Sequence, residues 1–299
     1  TNLSVIGPGA FSGCESMLEI VFAENPLSAS QLKPETWRGL TGLDRLYFYS
    51  QPNIDTLFPD SFLGLSSLRL MDMYDHSVGV IHPGAFRGLT NLYRLRLHNS
   101  GLTGVVGRPI ALPPGPFDST RPVRLLPGVF VGLDSLRELR FGEANVSVLP
   151  RGVFDGLGNL THLVFEGTHI TSIHPEALHP LHSLIGVNFA GNQITQIPNE
   201  MFAGLTELDD INFISNSVSS VGWAAFVDTT KLTRLVLMNN QISSLDPETF
   251  APTPLLGGPG GQFRILEGNP WGCLPAWPRA AVPPDARFLQ EQGLLPLFF

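Results

Sequence analysis

The sequence predicts an α/β-type solenoid, with short strands stacked in parallel along one side and mostly irregular or 3-10 segments returning along the other. Three observations lead there. Leucines stand at Leu160, Leu184, Leu208, Leu232 and Leu256, each 24 residues after the last. One skeleton refills the intervals: Leu184, Val187, Phe189, Asn192, Ile194, Ile197, Phe202, Leu205, then Leu208, Ile211, Phe213, Asn216, Val218, Val221, Phe226, Thr229. A fixed period in this range marks units that bury their apolar side only by stacking on their neighbours. Finally, each unit holds an L-x-x-L-x-L segment, whose alternation sends apolar residues inward and the intervening ones outward from a strand.

The phrase L-x-x-L-x-L-x-x-N-x-L at this spacing resembles the extracellular "typical" leucine-rich repeat proteins of animals, the group with slit, Toll-type receptor and acid-labile subunit ectodomains. The resemblance covers residues 1–272. It implies a curved leucine-rich repeat solenoid of about ten repeats, with the parallel sheet on the concave face. Strand anchors begin at Met17, Leu43, Leu68, Leu92, Leu136, Leu160, Leu184, Leu208, Leu232 and Leu256. A second internal row is aromatic: Phe11, Trp37, Phe62, Phe86, Phe130, Phe154, Phe202, Phe226 and Phe250, with Leu178 substituting once. In the family the Asn side chain bonds backbone groups of the turn, forming a ladder. Asn25, Asn192, Asn216 and Asn240 fit, whereas Gln51, His76, Ser100, Ala144 and Thr168 depart from it. Repeats two to six are therefore expected to be the weaker part.

Two regions break the pattern. Leu92 and Leu136 lie 44 residues apart, and the excess at 106–124 is rich in Pro and framed by Gly. Proline removes backbone donors, so this composition predicts an extruded loop rather than another coil. At the far end, Leu266–Trp277 resembles the start of the family's cysteine-rich cap, but Pro275 replaces the second cysteine and none follows Cys273. Residues 273–299 are expected to form a truncated or degenerate cap and a Pro-rich tail. Thr1 enters in mid-repeat, which predicts a piece of a longer chain.

Cys14 and Cys273 stand about ten strands apart, roughly 50 Å at 4.8 Å per strand, too far for a disulfide. Cys14 reads as a small buried hydrophobe and Cys273 as a free thiol. Sequons at Asn2, Asn145 and Asn159 are candidate glycosylation sites. Hydrophobic residues make up 43% of the chain, ample for a continuous core. A net charge of −8 argues against nucleic acid as the main partner. No apolar run approaches the ~18 residues that span a bilayer, so no membrane insertion is expected.

No catalytic, cofactor or metal motif emerges. His162, His169, His174, His179 and His182 crowd one repeat, but only His162 takes an outward strand position, so they are not expected to converge. The outward columns are richer. Arg45, Tyr47, Tyr49, Asp72, Tyr74, Arg94, Arg96, His98, Glu138, Arg140 and Glu166 form a candidate ligand-binding patch. Tyrosine and arginine combine apolar area with polar reach and dominate binding interfaces. Together these features predict a non-catalytic recognition module of an extracellular or cell-surface protein, with a protein or alternatively a glycan on its concave face. Two alternatives stand beside it: a fragment of a larger innate-immune-type receptor ectodomain, and a structural matrix spacer without a specific concave ligand.

Overall fold

A strand follows each described leucine anchor two residues later, because the inward Leu-x-Leu pair is where a coil can bury apolar surface against the next. The computed structural model describes residues 3–98, 123–245, 247–250, 253, 262–264 and 267–270. Within them ten strands form one parallel sheet: β1 Glu19–Ala23, β2 Arg45–Gln51, β3 Leu70–His76, β4 Arg94–His98, β5 Glu138–Gly142, β6 His162–Glu166, β7 Gly186–Asn188, β8 Asp210–Asn212, β9 Arg234–Val236 and β10 Gln262–Arg264. The register keeps the repeat intact, pairing Leu46 with Met71, then Leu95, Leu139, Leu163, Val187, Ile211 and Leu235. The opposite side carries two-residue strands such as Val80–Ile81 and the 3-10 helices Ala29–Gln31, Pro34–Trp37 and Pro247–Phe250.

The sheet runs past the irregular interval unbroken, since β4 pairs directly with β5. Val123 and Arg124, expected within the insertion, belong instead to the coil. Arg124–Leu125 pairs with Val80–Ile81, and Val123 is buried. Residues 106–122 lie outside the described part, as do Ser100, Asn2, Leu256 and the 273–299 segment. The last strand is also displaced. Leu256 predicts a strand from 258, whereas β10 begins at Gln262, after the sequence GGPGG, whose glycine and proline content disfavours a strand.

Two aromatic rows fill the interior. Trp37, Phe62, Phe86, Phe130 and Phe154 stack in succession at 6.0–6.2 Å, and Phe202, Phe226 and Phe250 continue the row at 5.5 Å beyond Leu178. The strands supply a second row: Phe141 stacks on Phe165 at 4.7 Å, followed by Phe189 and Phe213. The rows meet edge-on, as where Phe202 contacts Phe213 at 6.3 Å. Cys14 is only partly buried and packs at the edge of this core.

The ladder closes each strand exit. Asn192 Nδ2 donates to the carbonyls of Phe165 (2.6 Å) and Phe189 (2.9 Å), while its Oδ1 accepts the amides of Thr168 and Ile170 at 3.0 Å. Asn216 and Asn240 repeat this bridge between their own coil and the preceding one. Asn269, assigned from sequence to the cap, is a further rung, donating to Leu237 O at 2.8 Å and accepting from Ile242 N at 3.0 Å.

Two slots expected to fail do not. Gln51 Nε2 donates to Tyr49 O (2.9 Å) and Phe22 O (3.3 Å), its longer side chain reaching the same carbonyls. Thr168 bonds Asn192 through its hydroxyl at 3.0 Å. Ala144 has no polar group to offer, and the Val146 amide turns to the backbone carbonyls of Thr168 and Ala144. The residue ahead of the rung takes left-handed backbone from coil to coil, with φ of 54° at Glu24, 50° at Glu143, 68° at Gly191 and 70° at Gly268. That conformation turns the chain sharply out of the sheet and is one glycine adopts without strain.

His76 is the exception with a pH consequence. It is 2% exposed, accepts the Val78 amide on Nδ1, and leaves Nε2 without a bond. Burial, reinforced by His98, pushes its pKa down to about 3. The unfolded imidazole takes up a proton below about pH 6.5, whereas the folded one resists until about pH 3. Stability should therefore be full above pH 6.5 and fall by about 1.4 kcal/mol per pH unit between those values. Denaturant melts across pH 7 to 4 should show this slope, and His76→Asn should flatten it by supplying an amide to the ladder. Phe202→Ala should cost roughly 3–5 kcal/mol in the same assay; a loss under about 1 kcal/mol would contradict its place in the row.

Candidate functional site

The outward residues of β2 to β5 come together on the concave face because the register sets them side by side. Tyr47 lies opposite Asp72 and Arg96 beyond it, while Tyr49, Tyr74, His98 and Gly142 form the next line. Along that line the rings stack. Tyr49 meets Tyr74 at 5.6 Å and Tyr74 meets His98 at 5.6 Å, with Tyr47 beside Tyr49 at 6.0 Å. All four side chains are half-buried, so the ribbon turns its faces inward on itself and its edges to solvent. It ends in a recess, because Gly142 has no side chain. A Cβ there would stand 2.4 Å from His98 Cδ2. Gly142 was not among the candidate residues, and a glycine in an outward strand slot was the available signal.

Charged groups frame the ribbon. Arg94 Nη2 bonds Asp72 Oδ2 at 3.1 Å, and Arg45 pairs with Glu19 at 3.3 Å. Arg96 Nη2 reaches Glu138 Oε1 at 2.9 Å, and Arg140 Nε bonds the same oxygen. Asp72 departs from expectation. At 4% exposure it sits beneath the surface, with one oxygen unbonded, and is not presented to a ligand. Its burial raises the pKa despite Arg94. Burial, with Asp72 adding to it, raises Tyr47 and pushes Tyr49 to about 12, keeping both phenols protonated donors at neutral pH. Burial acts on Glu138 in the same upward sense, but the bonds from Arg96 and Arg140 outweigh it and hold the carboxyl below its ordinary range.

The remaining candidates scatter. Arg45, Arg140 and Glu166 are exposed, and Glu166 meets only the Asn188 amide at 3.5 Å. His162 is exposed on β6, whereas His174 accepts the Glu176 amide within its own turn and His179 bonds the Glu200 carbonyl of the next coil. Among the described residues no three His, Cys, Asp or Glu side chains are placed to share a metal ion. Asn159 is exposed and Asn145 half-buried.

Six copies of the BspA-type leucine-rich repeat match residues 1–104 and 126–256, stepping over the irregular interval. The chain belongs to the BspA-type leucine-rich repeat family. No curated protein sequence matches this family member. Among solved structures it is similar to a TLR13 chain in the TLR13–ssRNA13 complex, at 19% identity and TM-score 0.66 over 81% of this chain. It is also similar to a chain of the glycosylated Toll–Spatzle complex of Drosophila, at 18% identity and TM-score 0.60 over 94% of this chain. It spans 31% of the former chain and 39% of the latter. At such identity the likeness is one of fold. The RNA in the TLR13 complex stands in tension with excluding nucleic acid on a net charge of −8.

Gly142→Ala should drive His98 from its seat and cost roughly 1–3 kcal/mol, as overpacking does. In the His98→Ala background the same change should be nearly neutral. Equal costs in both backgrounds, measured by denaturant unfolding, would refute the recess.

Proposed function

We propose that this repeat domain is a non-catalytic recognition module of an extracellular or cell-surface protein, binding a protein ligand on the concave face over β2 to β5. The stacked ribbon of Tyr47, Tyr49, Tyr74 and His98 carries this reading. Four half-buried rings, three of them in register, fixed before any ligand arrives, supply contact area at little cost in side-chain entropy. Arginines on both sides add directional bonds. The Toll–Spatzle neighbour, itself a complex, agrees with such a role for the fold.

Nucleic acid fits the face less well. Its described strand positions oppose Arg45, Arg94, Arg96, Arg140 and Arg234 to Glu19, Asp72, Glu138, Glu166 and Asp210, so no basic stripe forms. Rings engaged with one another also leave little open face on which bases would stack. A glycan would lack the same open faces. If the protein is secreted, Asn159 is the exposed sequon among the described residues.

The test compares the intact chain with Tyr47→Ala/Tyr49→Ala/Tyr74→Ala, both verified as folded by circular dichroism. Each is offered a secreted and cell-surface protein fraction and, separately, a labelled single-stranded RNA. Proteins retained by the intact chain and weakened at least about tenfold by the variant, ~1.4 kcal/mol, are expected. Identical capture by both would overturn the concave reading and favour a spacer or an incomplete receptor fragment. RNA binding that the variant loses would replace protein with nucleic acid.

A further inference from the structure

The ion pairs on the concave face do not balance everywhere. Arg94 with Asp72 and Arg234 with Asp210 are each one cation to one carboxylate, while Arg45 meets two carboxylates, Glu19 and Asp44. At the junction of β4 and β5 the stoichiometry changes, for Arg96 and Arg140 both bond Oε1 of Glu138. Two guanidinium groups thus share a single carboxylate, leaving one positive charge uncompensated on a chain of net charge −8. The excess is presented outward on Arg140, whose side chain is 47% exposed while Glu138 is 20% exposed. On the same strand as Arg96, two residues on, His98 stacks on Tyr74, which sets the pair beside the aromatic ribbon. Beside it lies the recess where His98 covers Gly142.

Resting on the proposed recognition role, we propose that Arg96 and Arg140 receive a carboxylate from the protein ligand, an aspartate or glutamate side chain flanked by an apolar residue that covers the ring edges of Tyr74 and His98. Glu138 holds the two guanidinium planes in place, so little side-chain freedom is lost when the second carboxylate arrives. Arg140 commits its Nε to Glu138 and projects the rest of its planar fork, a geometry matched to a carboxylate. A cationic residue is disfavoured at this junction by the excess charge, and at Asp72 by Arg94, which already occupies the buried carboxylate.

The experiment uses peptides selected from a random display library on the intact chain. Each is resynthesised with its Asp or Glu as the carboxamide. Binding is measured to the intact chain, to Arg140→Gln, to Arg140→Lys and to the triple tyrosine variant. Selected peptides should carry an acidic residue, and amidation should weaken binding to the intact chain roughly ten- to hundredfold. Arg140→Gln should lose as much with the acidic peptide and be nearly indifferent to amidation, the signature of direct coupling. Arg140→Lys, which keeps the charge but loses the fork, should fall between. Unchanged melting curves for the Arg140 variants separate a lost contact from a lost fold. Peptides that bind equally well when amidated, or whose amidation costs the same on both backgrounds, overturn this proposal, as does a selection that enriches nothing. Provided that the triple tyrosine variant still abolishes capture, the concave recognition site survives that result. Capture that persists on the triple variant overturns the recognition site itself.

Discussion

Backbone amides and carbonyls at the strand exits must all be bonded where water does not reach, and this requirement governs the solenoid. An amide side chain meets it most economically, since one group both donates and accepts. Asn192, Asn216, Asn240 and Asn269 each tie their own turn to the coil before it. Because each rung spans two coils, it also sets the stacking register. The left-handed residue ahead of the rung turns the side chain into this position. Where the rung is missing, other groups cover the deficit: the longer amide of Gln51, the Thr168 hydroxyl, or the backbone around Ala144. Among the described slots the His76 ring keeps a buried nitrogen without a bond and Gln51 a buried amide oxygen.

With the exits closed, the phenylalanine rows determine how coils pack. Flat rings repeated near the strand spacing stack along the solenoid axis, and the strand row meets the return row edge-on at Phe130–Phe141, Phe154–Phe165 and Phe202–Phe213. Such mixed stacked and edge-on contacts are the preferred arrangements of ring quadrupoles. The core is therefore regular enough to absorb an irregular interval. β4 joins β5 with the same register as its neighbours even though 20 more residues than usual separate their leucines.

That regularity is what makes the concave face a platform. Rigid, register-locked strands hold Tyr49, Tyr74 and His98 in line without help from loops, and the missing side chain at Gly142 gives the line an end. The exposed pairs Arg45–Glu19 and Arg234–Asp210 contribute little net stability. What such pairs do fix is the placing of long side chains on the face.

The period, the inward leucines, the return aromatic row and the outward columns were legible in the sequence because each depends only on spacing along the chain. A 24-residue repeat leaves little freedom over which side faces in, so Tyr47, Tyr74, Arg96 and Arg140 were identifiable as neighbours from their slots. Depth, stoichiometry and substitution were not legible. Whether Asp72 surfaces or sinks depends on how side chains of neighbouring strands pack, and the sharing of Glu138 by two arginines depends on side-chain reach across two strands. Gln51 as a rung and Asn269 as a rung reached by an irregular path follow from hydrogen-bond geometry that one-letter patterns do not encode. Sequence alone determined the repeat and its orientation because those are one-dimensional properties. Tertiary structure decided which polar groups are exposed, paired or left with spare charge, because that is settled only when separate coils lie against one another.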